Sequence, residues 1–298
     1  MPERLLDTAL PERLVDTALP LVGDVLDVRD VSWEHAESVV LVIAGSRRSV
    51  VVKSHRQRRK FEQELAAYTE WLPRLRRALP PELRTPELLA AHDEDDRVLV
   101  LSFEPGEPAE DAVMPPEVER RVYRLAGSFL GALHGLPFAD EDELPLEDAY
   151  RQRLHAWLSR SEGVVPRHVA AKVAERVSAA LPALAGAQRV RCHRDFTARN
   201  WLVGAVGGVV VIDFEHSRPD WRYTDLERLW AGTWRRRRDL REAFLAGYGD
   251  GFTTDDEDLL AHLAALGALS TVTWAREHGD EVFERHGWEV LAWLGCTG

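Results

Sequence analysis

The chain has 298 residues, enough to bury a core in one large or two smaller domains. A hydrophobic fraction of 45% and a charged fraction of 30% fit a soluble globular protein. No apolar run is expected to be long enough to cross a bilayer, and carboxylates from the third residue onward exclude a signal-peptide pattern. The formal net charge of -12 argues against nucleic acid as a partner and favours a cationic ligand.

Cys192 and Cys296 lack metal-site spacing, so the expectation is a reduced, cytoplasmic protein without structural zinc. Lys53, Lys60 and Lys172 are the only lysines, whereas arginine is abundant. Each lysine is therefore informative, because a compact ammonium differs from a guanidinium fork.

In chain order, Pro2–Leu10 (PERLLDTAL) recurs almost unchanged as Pro11–Leu19 (PERLVDTAL). A nine-residue step turns a helix face through about half a turn, and Pro11 stands between the copies. The reading is a short helix and a loose arm without chemistry. Val25–Val31 has the pattern of a first strand. Ser32–Ala36 follows, then the β-rich run Ser38–Ile43, a turn at Gly45-Ser46 and a returning strand Ser49–Lys53. An antiparallel sheet whose third strand ends on a lysine is expected. Nucleotide-binding kinases contact the α- and β-phosphates from that position.

Arg56–Leu75 reads as a helix with Phe61, Leu65, Tyr68, Leu72 and Leu75 on one face. Glu64 lies at the margin of that face and Glu62 points away. A carboxylate at a core margin needs a partner, and Lys53 is the candidate for Glu64. The basic stretch Arg56–Lys60 reads as a solvated loop and helix start. Pro80, Pro81 and Pro86 mark a loop, and Arg97–Leu101 a buried strand. The pattern breaks at Ser102-Phe103-Glu104-Pro105-Gly106. We place a hinge there, between an N-terminal lobe (1–104) and a C-terminal lobe (105–298). Backbone groups of Ser102, Phe103 and Glu104 are the candidates for docking an adenine ring.

From Pro116 onward the chain is mainly helical. Val122, Leu125, Phe129 and Leu133 are at helical spacing, and His134 is read as a structural histidine at the helix end. Further helices are expected at Tyr150–Ser159 and Pro166–Leu184. Asp225 reads as a helix N-cap, Arg235–Arg238 as a solvated face, and Trp230, Trp234, Trp274, Trp288 and Trp293 as core.

Val190–Asp213 (VRCHRDFTARNWLVGAVGGVVVID) carries the chemistry. A short apolar strand runs into His193-Arg194-Asp195, and Asn200 follows five residues after Asp195. Trp201–Val203 and Val209–Ile212 are strands joined by a glycine turn, ending on Asp213 with Glu215 just beyond. Asp213 offers a hard anionic oxygen and Asn200 a neutral carbonyl, a donor set suited to magnesium. H-x-D-x-x-x-x-N followed by a strand and Asp is the arrangement of kinase-type phosphoryl transfer.

On Lys53, Glu64, the hinge near Ser102, LGALHGLP (Leu130–Pro137), HRDFTARN (His193–Asn200) and IDFE (Ile212–Glu215), the chain resembles the aminoglycoside phosphotransferase and choline kinase-like family. The resemblance implies an α+β, bilobal protein-kinase-like fold with a small antiparallel sheet and a mainly helical second lobe. It implies ATP and Mg2+ as cofactors. Asp195 would orient the acceptor hydroxyl and take its proton, while Asn200 and Asp213 would hold magnesium and Glu215 would add a metal or substrate contact. Lys53 would bind phosphate, Glu64 would position Lys53, and His193 would pack the catalytic loop.

Three features depart from the family pattern. Arg194 replaces a glycine, which makes HRDFTARN similar to a tyrosine-kinase catalytic loop and places Arg199 near the transferred group. Ser32–Ala36, where a phosphate-covering loop belongs, has no glycine. Too few residues separate Asp213 from Asp225 for a protein-kinase activation segment. The expected activity is ATP-dependent phosphoryl transfer to a hydroxyl of a small, cationic, aminoglycoside-like molecule, with neither nucleic acid nor membrane as partner. The alternatives are a Ser or Thr hydroxyl of a peptide in a biosynthetic pathway, and a non-catalytic nucleotide-binding module.

Overall fold

Alternating β-branched residues in Ser38–Gly45 and Ser49–His55 can cover one face of a sheet, and in the computed structural model they do so. The structure describes residues 9–33, 38–93, 96–138, 144–204, 207–249 and 253–298. Most of the first nonapeptide copy, and Glu34, His35 and Ala36 of the expected phosphate-covering loop, lie outside them. Contacts divide the chain into two units: Met1–Ala112 with Arg199–Ser217, and Val113–Ala198 with Arg218–Gly298.

The first unit opens with α1 (Ala9–Val22), then β1 (Val25–Asp30), β2 (Ser38–Gly45) and β3 (Ser49–His55). It continues through α2 (Arg58–Ala66), α3 (Leu72–Ala78), β4 (Leu83–Arg84), β5 (Leu88–His92), β6 (Val98–Ser102) and β7 (Glu107–Pro108). The main sheet has the order β1-β2-β3-β6-β5, antiparallel throughout, with Lys53 opposite Val40 and Leu99.

The second nonapeptide copy contributes Leu14 and Ala18 to a core. Leu14, Ala18 and Val22 recur every four residues along α1 and pack on Leu41, Ile43, Val50, Val52, Val98 and Val100. Pro11 falls in the first turn of α1, where a missing N–H costs nothing. The long helix expected over Arg56–Leu75 is interrupted by a π-helical turn at Ala67–Trp71.

The second unit begins with α4 (Pro116–His134), α5 (Leu146–Arg160), α6 (Arg167–Ala180) and β8 (Val190–Cys192). The chain then returns to the first unit for β9 (Trp201–Val203) and β10 (Val209–Val211). These two strands pair antiparallel, with Val211 opposite Trp201, in a small sheet of order β4-β10-β9-β7. The second unit resumes with β11 (Arg218–Asp220), paired antiparallel to β8. It ends with α7 (Glu227–Leu229), α8 (Arg238–Tyr248), α9 (Thr254–His278) and α10 (Glu281–Trp293).

Helices α4 and α8 approach closely at two glycines. A Cβ at Gly127 would lie 2.0 Å from the Phe244 carbonyl oxygen, and one at Gly247 1.9 Å from that of Arg124. Contrary to expectation, α9 is long and apolar enough by composition to cross a membrane. However, 61% of its apolar window is buried, and it packs on α5, α6, α7 and α10 as a core helix of the second unit.

Candidate active site

In the first unit two of the three lysines meet three carboxylates. Lys53 lies two residues before the end of β3, and its Nζ lies 2.8 Å from Glu64 Oε2 on α2, 2.6 Å from Asp213 Oδ1 and 3.0 Å from Glu215 Oε2. Lys60, one turn before Glu64, places its Nζ 2.6 Å from Glu215 Oε1. The expected solvated start of α2 is thus partly buried: Lys60 turns inward, while Arg58 and Arg59 stay exposed. Glu64 is fully buried and Glu62 pairs with Arg58 at the surface. His55 Nδ1 lies 3.2 Å from the Arg97 carbonyl oxygen, and Nε2 lies 2.7 Å from Glu64 Oε2.

Burial alone would lower the Lys53 pKa, but Asp213, Glu64 and Glu215 hold its ammonium well above the ordinary value. Burial would likewise raise Glu64, yet Lys53 and His55 bring its carboxyl down to about 2. Glu215 is held well below the usual carboxylate range by Lys53, His216 and Lys60 against the opposing effect of burial. Glu64 also accepts the Phe214 N–H at 3.2 Å, and the Phe214 ring stands edge-on to Tyr68 and Trp71. These contacts tie the segment after β10 to α2 and the π turn.

Asp213 has a φ of +67°, in the left-handed region that non-glycine residues seldom enter, and its side chain remains 31% accessible. Asn200 is buried, and its main-chain carbonyl oxygen accepts the Ile212 N–H at 3.0 Å, fixing the start of β9 to the end of β10. A carboxylate and an amide provide hard oxygen donors, so this pair fits a divalent ion of the magnesium type. Glu215, expected to add a metal or substrate contact, stands among cations and a hydroxyl and, with His55 and Glu64, brings ligand atoms close together. It is bound by Lys53, Lys60 and the Ser38 hydroxyl, the last at 3.0 Å. Arg199 stacks on Trp33 at 4.3 Å, beside the segment where the phosphate-covering loop was expected.

Ser102 closes β6. Its N–H donates to the Glu87 carbonyl, and its hydroxyl accepts the Glu87 N–H at 2.9 Å and donates to Glu104 at 3.1 Å. Glu104 also pairs with Arg84 at 3.0 Å, and Phe103 is half-buried between them in sequence.

Asp195 belongs to the second unit. It follows β8, is 5% accessible at its side chain, and accepts a hydrogen bond from Arg228 Nη1. His193 is fully buried, receives the Asp195 N–H on Nδ1 at 3.3 Å and stands edge-on to Phe196. Arg194 has a φ of +67°, which is the physical reason a glycine suits this position. Its side chain pairs with Asp220 at 3.0 Å, and Arg153 reaches the same carboxylate at 2.8 Å. Burial would raise Asp220, but these arginines hold it below the usual range.

Asp225 has a different role from the helix N-cap expected of it. Its carboxylate accepts the backbone N–H groups of His193, at 3.0 Å, and Arg194. It also meets His134 Nε2 at 3.0 Å, and His134 Nδ1 meets the Tyr248 hydroxyl at 2.7 Å. The loop carrying Asp195 is therefore anchored from α4, α8 and the turn before α7.

Lys60, His55 and Arg228 were missed in the sequence. Lysine scarcity was the available signal for Lys60. No local pattern marks Arg228, which reaches Asp195 across 33 positions.

The profile of the phosphotransferase enzyme family (APH) matches residues 27–263. A comparison with curated protein sequences finds no match. Among solved structures, the GDP and kanamycin complex of APH(2")-IIia superposes with a TM-score of 0.75 at 14% identity, covering 97% of this chain and 99% of that one. Spectinomycin phosphotransferase, APH(9)-Ia, in complex with ADP and its antibiotic, gives 0.65 at 11% identity over 95% and 93%. Macrolide 2'-phosphotransferase MphH from Brachybacterium faecium gives 0.65 at 17% identity over 95% and 98%. The chain shares the kinase-like fold of these proteins.

Proposed function

The chain belongs to the phosphotransferase enzyme family, and from that premise we propose that it transfers the γ-phosphoryl group of ATP to a hydroxyl of a small, antibiotic-like molecule. The observation that carries the reading is Lys53 Nζ held at once by Glu64, 2.8 Å away, and Asp213, 2.6 Å away. In kinase-type enzymes a lysine held in this way contacts the nucleotide phosphates, which supports the reading.

In this reading Lys53 binds the α- and β-phosphates and Glu64 fixes the lysine. Asn200 and Asp213 would hold magnesium, which neutralises phosphate charge when bound. Lys60 and Ser38 keep Glu215 in place, so that carboxylate acts as a support for Lys53. Arg199 and Trp33 stand at the edge of the phosphate site. Ser102, Phe103 and Glu104 offer backbone groups to the adenine.

Asp195 orients the acceptor hydroxyl and receives its proton as the acceptor oxygen bonds to the γ-phosphorus and ADP leaves. His193, Asp225, His134 and Tyr248 hold the loop that positions Asp195. Positioning and charge stabilisation supply most of the rate in such a transfer. The similar structures solved with kanamycin and with spectinomycin support an acceptor of that size class. The net charge of -12 that favoured a cationic acceptor describes the whole surface, not the surroundings of Asp195.

The test is transfer from γ-labelled ATP with magnesium to a panel of hydroxylated antibiotics, amino alcohols, sugar acids and peptides. Label on a small acceptor, absent with Asp195→Ala although ATP still binds, is expected. Label on peptides alone would move the acceptor to a Ser or Thr side chain. ATP binding with no transfer or hydrolysis would contradict the enzyme reading in favour of a nucleotide-binding module.

A further inference from the structure

The four-arginine run after the second π turn, Trp230–Trp234, divides in two. Arg237 pairs with Glu119 and Asp239, and Arg238 with Glu242 at 2.8 Å. Arg235 and Arg236 are exposed and meet no carboxylate among the described residues. The Arg235 guanidinium lies 4.9 Å from the centre of the Trp293 ring, on which Trp230 also packs at 4.6 Å. Trp293 is 43% accessible, unlike the core tryptophan expected there.

Arg228 follows the same side of the unit. Its guanidinium stands 5.5 Å from the Phe283 ring, and its Nη1 holds Asp195. Phe283, His286 and Trp293 share one face of α10 by their spacing. Burial lowers the His286 pKa, and Arg228, Arg236 and Arg235 push it in the same direction against Glu289. By geometry, Arg228 and Arg235 each stand over a ring of α10, Phe283 and Trp293. Negative charge beside them is sparse. Glu227, next to Arg228, is raised by burial to about 7; Glu284 on α10 is taken up by Arg276, and Glu289 on α10 is exposed.

In a chain of net charge -12, two arginines without carboxylates beside a third that holds the proposed base are not a default solvated face. An exposed guanidinium backed by an aromatic ring, as Arg235 is by Trp293, with a second exposed arginine next to it in the chain, is suited to an oxyanion attached to an apolar body. We infer that the acceptor carries a carboxylate or phosphate bound by Arg235 and Arg236, and an aromatic or apolar body that lies on Trp293 and Phe283. The ten residue steps from Phe283 to Trp293 span about 15 Å of helix, so hydroxyl and oxyanion sit at separate ends of a medium-sized molecule. This inference rests on the reading of Asp195 as the residue that orients the acceptor.

Four matched probes test it: phenyl β-glucuronide, phenyl β-glucoside 6-phosphate, neutral phenyl β-glucoside and cationic phenyl β-glucosaminide. Each has hydroxyls and an aromatic body, and the four differ in charge. Binding to the full chain is measured by calorimetry, alongside transfer from γ-labelled ATP, for wild type and the Arg235→Ala/Arg236→Ala variant. Charge-assisted hydrogen bonds should make the two acids bind wild type at least about tenfold more tightly than the neutral glucoside, and the variant should lose that preference. A preference for the glucosaminide, no preference for acids, or the same preference in the variant would overturn the inference. The carboxylate and phosphate arms show which oxyanion is favoured. Acid-selective binding without transfer to any probe would keep the oxyanion site and count against the phosphotransferase reading. Transfer without acid preference would do the reverse.

Discussion

Lys60 Nζ lies 2.6 Å from Glu215 Oε1, so the carboxylate that contacts the end of Lys53 is held from its other side by a second buried lysine. Removing one partner of a buried pair leaves the other charge uncompensated. Lys60→Met should therefore cost about 3 kcal/mol of stability, measured by urea unfolding. It should also weaken nucleotide binding, because an unpaired Glu215 draws Lys53 away from phosphate. Adding Glu215→Gln removes the stranded charge, so the double variant should lose less than the sum of the single ones. Strict additivity would contradict this coupling.

Asp225 satisfies the N–H groups of His193 and Arg194 and meets His134. Stranding two buried donors at about 1–3 kcal/mol each makes Asp225→Ala one of the more destabilising single changes in the second unit. Asp225→Asn keeps one acceptor oxygen and should cost less. Urea unfolding ranks the two variants. Equal, small losses would show that the loop is anchored elsewhere.

Glu227 carries a folded-state pKa near 7, well above the ordinary glutamate value, chiefly through burial. A raised carboxyl pKa means that the folded state binds a proton the unfolded chain has already released. Its contribution is therefore full below the unfolded pKa of about 4.3 and is lost as the pH rises through about 7. Glu227→Gln should flatten that part of the stability–pH curve, making the variant the more stable protein at pH 8. Unfolding midpoints from pH 4 to pH 8 provide the check, and identical curves would contradict the assignment.

The antiparallel sheet, the Lys53–Glu64 pair and the β9–β10 hairpin were legible because each is specified locally, by period-two strands, a helix face and a glycine turn. Glu64 could be chosen over Glu62 from the helix angle alone. Lys60 was misjudged because its neighbours Arg58 and Arg59 are surface residues, and only the later Glu215 draws it inward. Asp225 looked like a cap since its partners, His193 and Arg194, lie about thirty positions earlier. Trp293 was assigned to the core on residue type, yet at the end of α10 it is partly open beside Arg235. The π turns at Ala67–Trp71 and Trp230–Trp234 have no sequence signal that periodicity would reveal.

The central claim is that the chain divides its work: Asp195 acts on the acceptor, and Asp213 acts with the nucleotide. The most direct test compares Asp195→Asn and Asp213→Asn in parallel, reading nucleotide affinity with magnesium and label transfer from γ-labelled ATP. The account predicts that Asp195→Asn binds nucleotide within about twofold of wild type while transfer falls by at least about a hundredfold, the scale of a lost general base. Asp213→Asn should lose magnesium-dependent nucleotide binding. Transfer surviving in Asp195→Asn, or unchanged nucleotide affinity in Asp213→Asn, would contradict it.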